Sequence, residues 1–241
     1  MNNNIIIFCG ILPAILLVFY IYLRDRYQRE PLGQILKAVL FGVISAGIAI
    51  VLESTEQSVG LLIPEPATWI GALWNAFVGA AMPEELAKLI MLWLLLRRNK
   101  YFDERFDGIV YACCIGMGFA GTENVLYLFG NIENWQSVAV SRAIFAVPGH
   151  FMFAVAMGYF YSKIHFRDMS WSYRSLVFVA PVILHGTYDG LLFMANVTPE
   201  VAGLILMGFY LFCFWMFRVS RRSIQAQSKA SDPNNLIFRN L

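Results

Sequence analysis

At 59% hydrophobic and only 14% charged over 241 residues, the chain is too apolar for an ordinary soluble domain, where charged residues approach about a quarter of the total. Long runs almost free of charge instead require an all-α, polytopic transmembrane helical bundle. A net charge of +2 excludes little, and no nucleic-acid partner is expected. Cys9, Cys113, Cys114 and Cys213 all lie inside apolar runs, which argues for packed thiols over a disulfide framework or zinc ribbon.

Seven spans are predicted: Ile5–Leu23, Ile35–Leu52, Thr68–Leu96, Gly108–Phe129, Ser137–Ser162, Leu176–Val197 and Val201–Phe217. The first has no basic residue before it and Arg24, Asp25 and Arg26 after it. It therefore reads as a retained anchor with its N-terminus outside, not a cleaved signal. Lys and Arg recur in alternate connections: Arg24, Arg26, Arg29 and Lys37; Arg97, Arg98, Lys100 and Arg105; Lys163, Arg167 and Arg174; and the tail from Arg218 onward. The opposite connections carry Glu56, Glu65, Glu133 and Glu200, with Arg142 the one basic exception. The positive-inside rule then puts the C-terminus in the cytoplasm. Residues 1–219 read as the membrane domain and 220–241 as a polar, mobile cytoplasmic tail.

The third run is too long for one upright helix. Its 29 residues would cover roughly 44 Å at ~1.5 Å per residue, against a hydrocarbon core of ~30 Å. Strong tilt is one solution. The other is a break near Gly79–Pro83, tolerated at membrane depth where it lines a cavity, with Glu84 and Glu85 in the first turn of the inner piece.

That run also holds the chain's most costly residues. Glu84, Glu85 and Lys88 sit inside a spanning segment, where each charge costs about 2.5–3.5 kcal/mol by insertion measurements. Glu84 and Lys88 share a helix face. A buried ion pair fixing helix packing is the competing explanation. Three further groups lie at membrane depth: Glu123-Asn124 in span four, Pro148-Gly149-His150 in span five, and His185 with Asp189 in span six. Counting up from the nearest charged residue on the cytoplasmic side gives heights of ~20 Å for Glu84, ~24 Å for Glu123, ~20 Å for His150 and ~16 Å for His185. Scattered packing devices have no reason to share a layer, so one composite site is expected. His165, among the basic loop residues, is expected to be solvated. Gly116-x-Gly-x-x-Gly121 matches the dinucleotide-binding pattern but lacks the strand that the motif requires, and reads as a close-packing face between helices.

These segments, in this order, resemble the PrsW family of intramembrane proteases, distantly related to the Abi/CAAX prenyl endopeptidases. The resemblance rests on Glu84-Glu85-x-x-Lys88, Phe119-x-x-x-Glu123-Asn124, Pro-Gly-His150 and His185-x-x-x-Asp189, with Arg24-Asp-Arg-Tyr-Gln-Arg-Glu-Pro31 after the first span. It extends to about Val219. It implies cleavage of a single-span membrane protein, an anti-sigma factor in the namesake case, near its extracytoplasmic side. Two departures from the Abi/CAAX pattern stand out: Glu123 occupies a His position, and Asp189 a position usually held by Asn.

Peptide hydrolysis needs an activated water, a site for the oxyanion and a proton for the leaving amine. Burial works against a carboxylate's charge and Lys88 restores it, so Glu84 and Glu85 are assigned to water activation and proton shuttling, without a choice between them. His185, oriented by Asp189, is the expected oxyanion donor, while His150 and Glu123 position the water. A zinc ion would instead activate water directly, with ligands drawn from Glu84, Glu85, Glu123, His150, His185 and Asp189; the two mechanisms stand level. From another class, midplane carboxylates beside a broken helix also suit a proton- or ion-coupled transporter, although the odd span number and the lack of a visible repeat speak against it. A non-catalytic scaffold leaves the shared layer unexplained.

Overall fold

A computed structural model describes residues 3–167, 170 and 173–232. Among the described residues every regular element is a helix and there is no strand. The helices are α1 (Asn3–Arg24), α2 (Leu32–Ser58), α3 (Trp69–Trp74), α4 (Met82–Leu96), α5 (Asp107–Gly130), α6 (Trp135–Ser141), α7 (Val147–His165), α8 (Leu176–Val197) and α9 (Ala202–Ala230). π-helical segments join α3 to α4 (Asn75–Ala81) and α6 to α7 (Arg142–Ala146).

Among the described residues, six stretches are long and apolar enough to cross a membrane: α1, α2, α5, the continuous Trp135–His165 stretch, α8 and α9. The third run is composite, made of pieces of 6, 7 and 15 residues. It does not break into two half-helices. The backbone stays right-handed through the junction, and Met82 N–H bonds to the Phe77 carbonyl five residues back. Val147 N–H does the same to Arg142. In each case a proline follows at the second position of the next helix. Its ring would collide with the carbonyl four residues earlier in a regular α-helix, and a wider π turn accommodates it.

α5 is the axis of the bundle. It packs against α1, α2, α4 and α7 and is buried on every side along most of its length, as befits a helix apolar all round. The glycines of its first half allow this. A methyl group on Gly118 would collide with the Val39 carbonyl and one on Gly42 with the Ile115 carbonyl, so α2 and α5 touch backbone to backbone. Cys113 and Cys114 are buried in the same core, while Cys9 and Cys213 are half-buried. α1 and α9 turn large apolar side chains outward, among them Phe8, Phe19, Leu211, Phe214 and Phe217, the face a bilayer covers.

Helix ends run past several predicted spans. α2 continues to Ser58, with Thr55 and Ser58 hydroxyls donating to the carbonyls of Val51 and Ser54. α9 continues to Ala230, with Ser220, Ile224 and Gln227 buried. The mobile segment expected from Ser220 is therefore helical as far as Ala230; residues 233–241 lie outside the described residues. His165 closes α7, exposed and against the Phe102 ring.

Candidate active site

The two π segments and their prolines decide which side chains face inward. After the first, Glu84, Glu85 and Lys88 are all buried on α4. After the second, His150 is buried on α7. Gly186 of α8 completes the approach: a side chain there would strike the Phe77 ring of the first π segment, and without one α8 brings His185 onto the α4 acids.

Lys88 is the hub. Its ammonium donates to Glu84 Oε2 at 3.1 Å and Glu85 Oε1 at 2.9 Å, lies 3.2 Å from His150 Nδ1 and sits 3.8 Å above the centre of the Phe119 ring. An ammonium has only donors, so His150 Nδ1 accepts and Nε2 carries the proton, which is donated to Glu123 Oε2 at 2.8 Å. His185 Nδ1 lies 3.0 Å from Glu85 Oε1, and Nε2 lies 3.1 Å from Asp189 Oδ2. Both ring nitrogens can donate only when the ring carries both protons. The His185 ring stacks on Phe153, with centroids 4.7 Å apart.

All eight residues expected from the sequence lie in or beside this network, but not equivalently. Glu84, Glu123, His150, His185 and Asp189 face a cavity of about 600 Å³ with Arg142, Phe145, Phe153 and Phe209 also in its wall. Glu85 is fully buried behind Glu84, held by Lys88 and His185. Asn124 faces the other way. Its amide donates to the Gly10 carbonyl and accepts from Arg142 Nε, both at 2.8 Å, tying α5 to α1 and to the second π segment. Glu123 partners Arg142 and His150, not Lys88.

Sequence reasoning missed Arg142 as a site residue. Its guanidinium binds Glu123 Oε2 at 2.7 Å and lies 3.9 Å above the Tyr127 ring. The signal was available, because Arg142 is the lone basic exception to the charge asymmetry. Glu53 of α2 was missed too. Together with Glu84 and Glu123 it lines a second, smaller cavity, whereas the predicted span ended one residue short of it.

Glu84, Glu85, His150 and His185 can each offer one ligand atom, all four within 4.8 Å of one another. Two carboxylates and two imidazoles suit zinc, and Glu85 Oε2 is buried with no hydrogen-bond partner. The donor set fits a metal ion. Lys88 meanwhile binds three of the same side chains.

Residues 30–219 match the model of the PrsW family of intramembrane metalloproteases. The chain belongs to that family. PrsW relatives span almost all of it. Protease PrsW of Clostridioides difficile strain 630 is 32% identical over 88% of this chain and 87% of its own length. That of Geobacillus kaustophilus is 33% identical over 85% and 87%, and that of Bacillus subtilis strain 168 is 35% identical over 78% and 82%. No solved structure matches the chain. The protein is thus an intramembrane protease and a multi-pass protein of the cell membrane, and membership in a protease family decides against the transporter and scaffold alternatives.

Proposed function

We propose that the chain crosses the bilayer seven times, the composite third run included, with its N-terminus outside and C-terminus in the cytoplasm. In this reading it hydrolyses a peptide bond of a single-span, anti-sigma-factor-like membrane protein near the extracytoplasmic side. The observation that carries the reading is the convergence of carboxylates from α4 and α5 with imidazoles from α7 and α8 on one cavity of about 600 Å³. The composite run and the charge asymmetry support the topology; the height of the shared layer supports the cleavage depth.

Glu84 is the carboxylate that faces the cavity, and in this reading it is the base. It takes a proton from water as the water oxygen bonds to the scissile carbonyl carbon, then passes that proton to the amine nitrogen as the C–N bond breaks. Lys88 holds both carboxylates in place, donating to Glu84 Oε2 and Glu85 Oε1. His185, whose Nδ1 is 4.0 Å from Glu84 Oε2, places positive charge beside the developing oxyanion, and Asp189 fixes its ring. His150, anchored through its Nε2–H to Glu123, lies 4.0 Å from the same Glu84 oxygen and orients the water. Asn124 holds α5 and Arg142 in register. In the zinc-loaded route His185 would be neutral and, with His150 and Glu85, would hold the ion, leaving Glu84 as the base. Such an ion supplies a Lewis acid that activates bound water near neutral pH.

The test is cleavage of a single-span substrate by the purified chain in liposomes. Glu84→Gln abolishes cutting and Glu85→Gln lowers it severely; a wild-type rate for Glu84→Gln overturns the base assignment, and wild-type rates for both variants overturn the role of the pair. Metal analysis of the purified protein, with chelator inhibition and zinc rescue, separates the zinc-loaded from the metal-free route.

A further inference from the structure

Glu84 and Glu123 form a wall between two cavities. On one side lies the large cavity with His185 and its aromatic lining. On the other lies a cavity of about 260 Å³ between α2, the first π segment and α5. Four residues line both: Ala80, Glu84, Glu123 and Tyr127. The small cavity also receives Glu53, near the Ser58 end of α2, and no catalytic role has been assigned to that residue. Its remaining walls are apolar or featureless, including Ala49, Ile50, Gly79 and Leu126.

A protease working within a bilayer must admit its second substrate, water, while its peptide substrate is bound. The large cavity has Phe145, Phe153, Leu192, Phe193 and Phe209 around its acids and imidazoles. A peptide filling that space displaces water from it. Delivery from behind the wall avoids the conflict, because water can reach Glu84 without crossing the peptide. At ~30 Å³ per molecule the small cavity has room for several waters, and a water persists only with two to four polar partners. Glu84 and Glu123 offer acceptors at the inner end. Toward the end of α2, Glu53 is the polar group, with Glu56 one turn further on. An apolar constriction of this size closes by dewetting. We propose that the small cavity is the water port of the protease and that Glu53 keeps it wet, acting through Glu84 as a positioning residue. This inference rests on the assignment of Glu84 as the water-activating base.

Gly79, in the wall of the small cavity, is packed by the loop that precedes α3. A side chain at Gly79 would come within 2.8 Å of Leu62. The loop carrying Leu62 is pinned by Asn75, which exchanges hydrogen bonds with the Ile63 backbone, and by Trp74 Nε1, which donates to the Leu61 carbonyl. The Gly79 wall of the cavity is thus backed by a hydrogen-bonded loop.

The experiment uses the full chain in liposomes. Glu53→Leu should lower kcat about tenfold or more with KM unchanged, the pattern of an interaction used after substrate is bound. Glu53→Gln, still polar and nearly isosteric, should recover most of the rate. A second arm reads water directly: the thiol introduced by Glu53→Cys should react with a membrane-impermeant thiol reagent above the background of the wild-type cysteines, with or without peptide substrate. Wild-type kcat for Glu53→Leu, an equal loss in Glu53→Gln, or no labelling of the Glu53→Cys thiol overturns the port. The labelling arm requires no cleavage. If Glu84→Gln cuts normally while the introduced thiol is labelled, the base assignment fails and the wet cavity stands.

Discussion

The two ends of α5 carry two buried polar layers built on opposite terms. Around Glu123, the acids Glu84, Glu85 and Asp189 meet Lys88, Arg142, His150 and His185, and nearly every contact joins an acid to a base. Around Asp107, the buried acids Asp25 and Glu30 are held mainly by neutral donors among the described residues. Asp25 accepts from the Glu30 N–H, Glu30 from the Tyr111 hydroxyl, and Asp107 from the N–H groups of Asp103 and Glu104. One layer is compensated charge and the other is hydrogen-bonded acid. Burial pushes Glu30 up from the ordinary 4.5 to about 7, opposed by the Tyr111 hydrogen bond and helped by Asp25 and Asp103. Glu104 is raised to about 7 chiefly by burial as well. The first layer is held by acid–base contacts; the acids of the second can take up a proton near neutral pH.

Removing a cation from the compensated layer should produce the largest effect. Lys88→Met strands Glu84 and Glu85, and breaking one side of a buried pair costs roughly 3–5 kcal/mol. Thermal unfolding of the purified protein should show a large loss, with no cleavage at any pH. A stable, active Lys88→Met protein breaks the comparison. Arg142→Gln should be milder, because Glu123 keeps His150. A loss on the order of 10- to 100-fold in kcat is expected for removing the outer partner of a site residue. Arg142→Lys should restore part of it, since one charge returns without the forked geometry that spans Glu123 and Asn124.

The smallest effect belongs to the other layer. A raised pKa in the fold means that the folded chain holds the Glu30 proton more tightly than the unfolded chain. The stabilisation is complete below 4.5 and is lost as pH rises through about 7. Glu30→Gln should leave cleavage near wild type and flatten the fall of Tm over that window. An unchanged fall in the variant would mean that Glu30 is ionised in the fold.

Much of this was legible because membrane burial makes charge expensive. Glu84, Glu123, His150 and His185 announce themselves by lying where such residues are costly, and rise per residue suffices to put them in one layer. Arg142 and Glu53 escaped for the converse reason: near a predicted span end, a charge reads as the boundary itself. The π segments were invisible to a 3.6-residue period, although Pro83 and Pro148 marked their ends. The role of Asn124 as a tie between helices depends on Gly10 more than a hundred positions away, and no local pattern holds that information. Nor does the order of depth between Glu84 and Glu85, which follows from how far the first π segment has turned α4.

A π turn is an α turn that has accommodated a surplus residue. Loss of one residue from Asn75–Ala81 would rewind it and swing everything before it by about 100°, the angle per residue of an α-helix. Glu84 and Glu85 follow the first such turn and His150 the second, each on the α5 side of the bundle, so a rewound turn would re-aim Trp69–Trp74 or Trp135–Ser141 like the jaws of a wrench while its handle stays fixed.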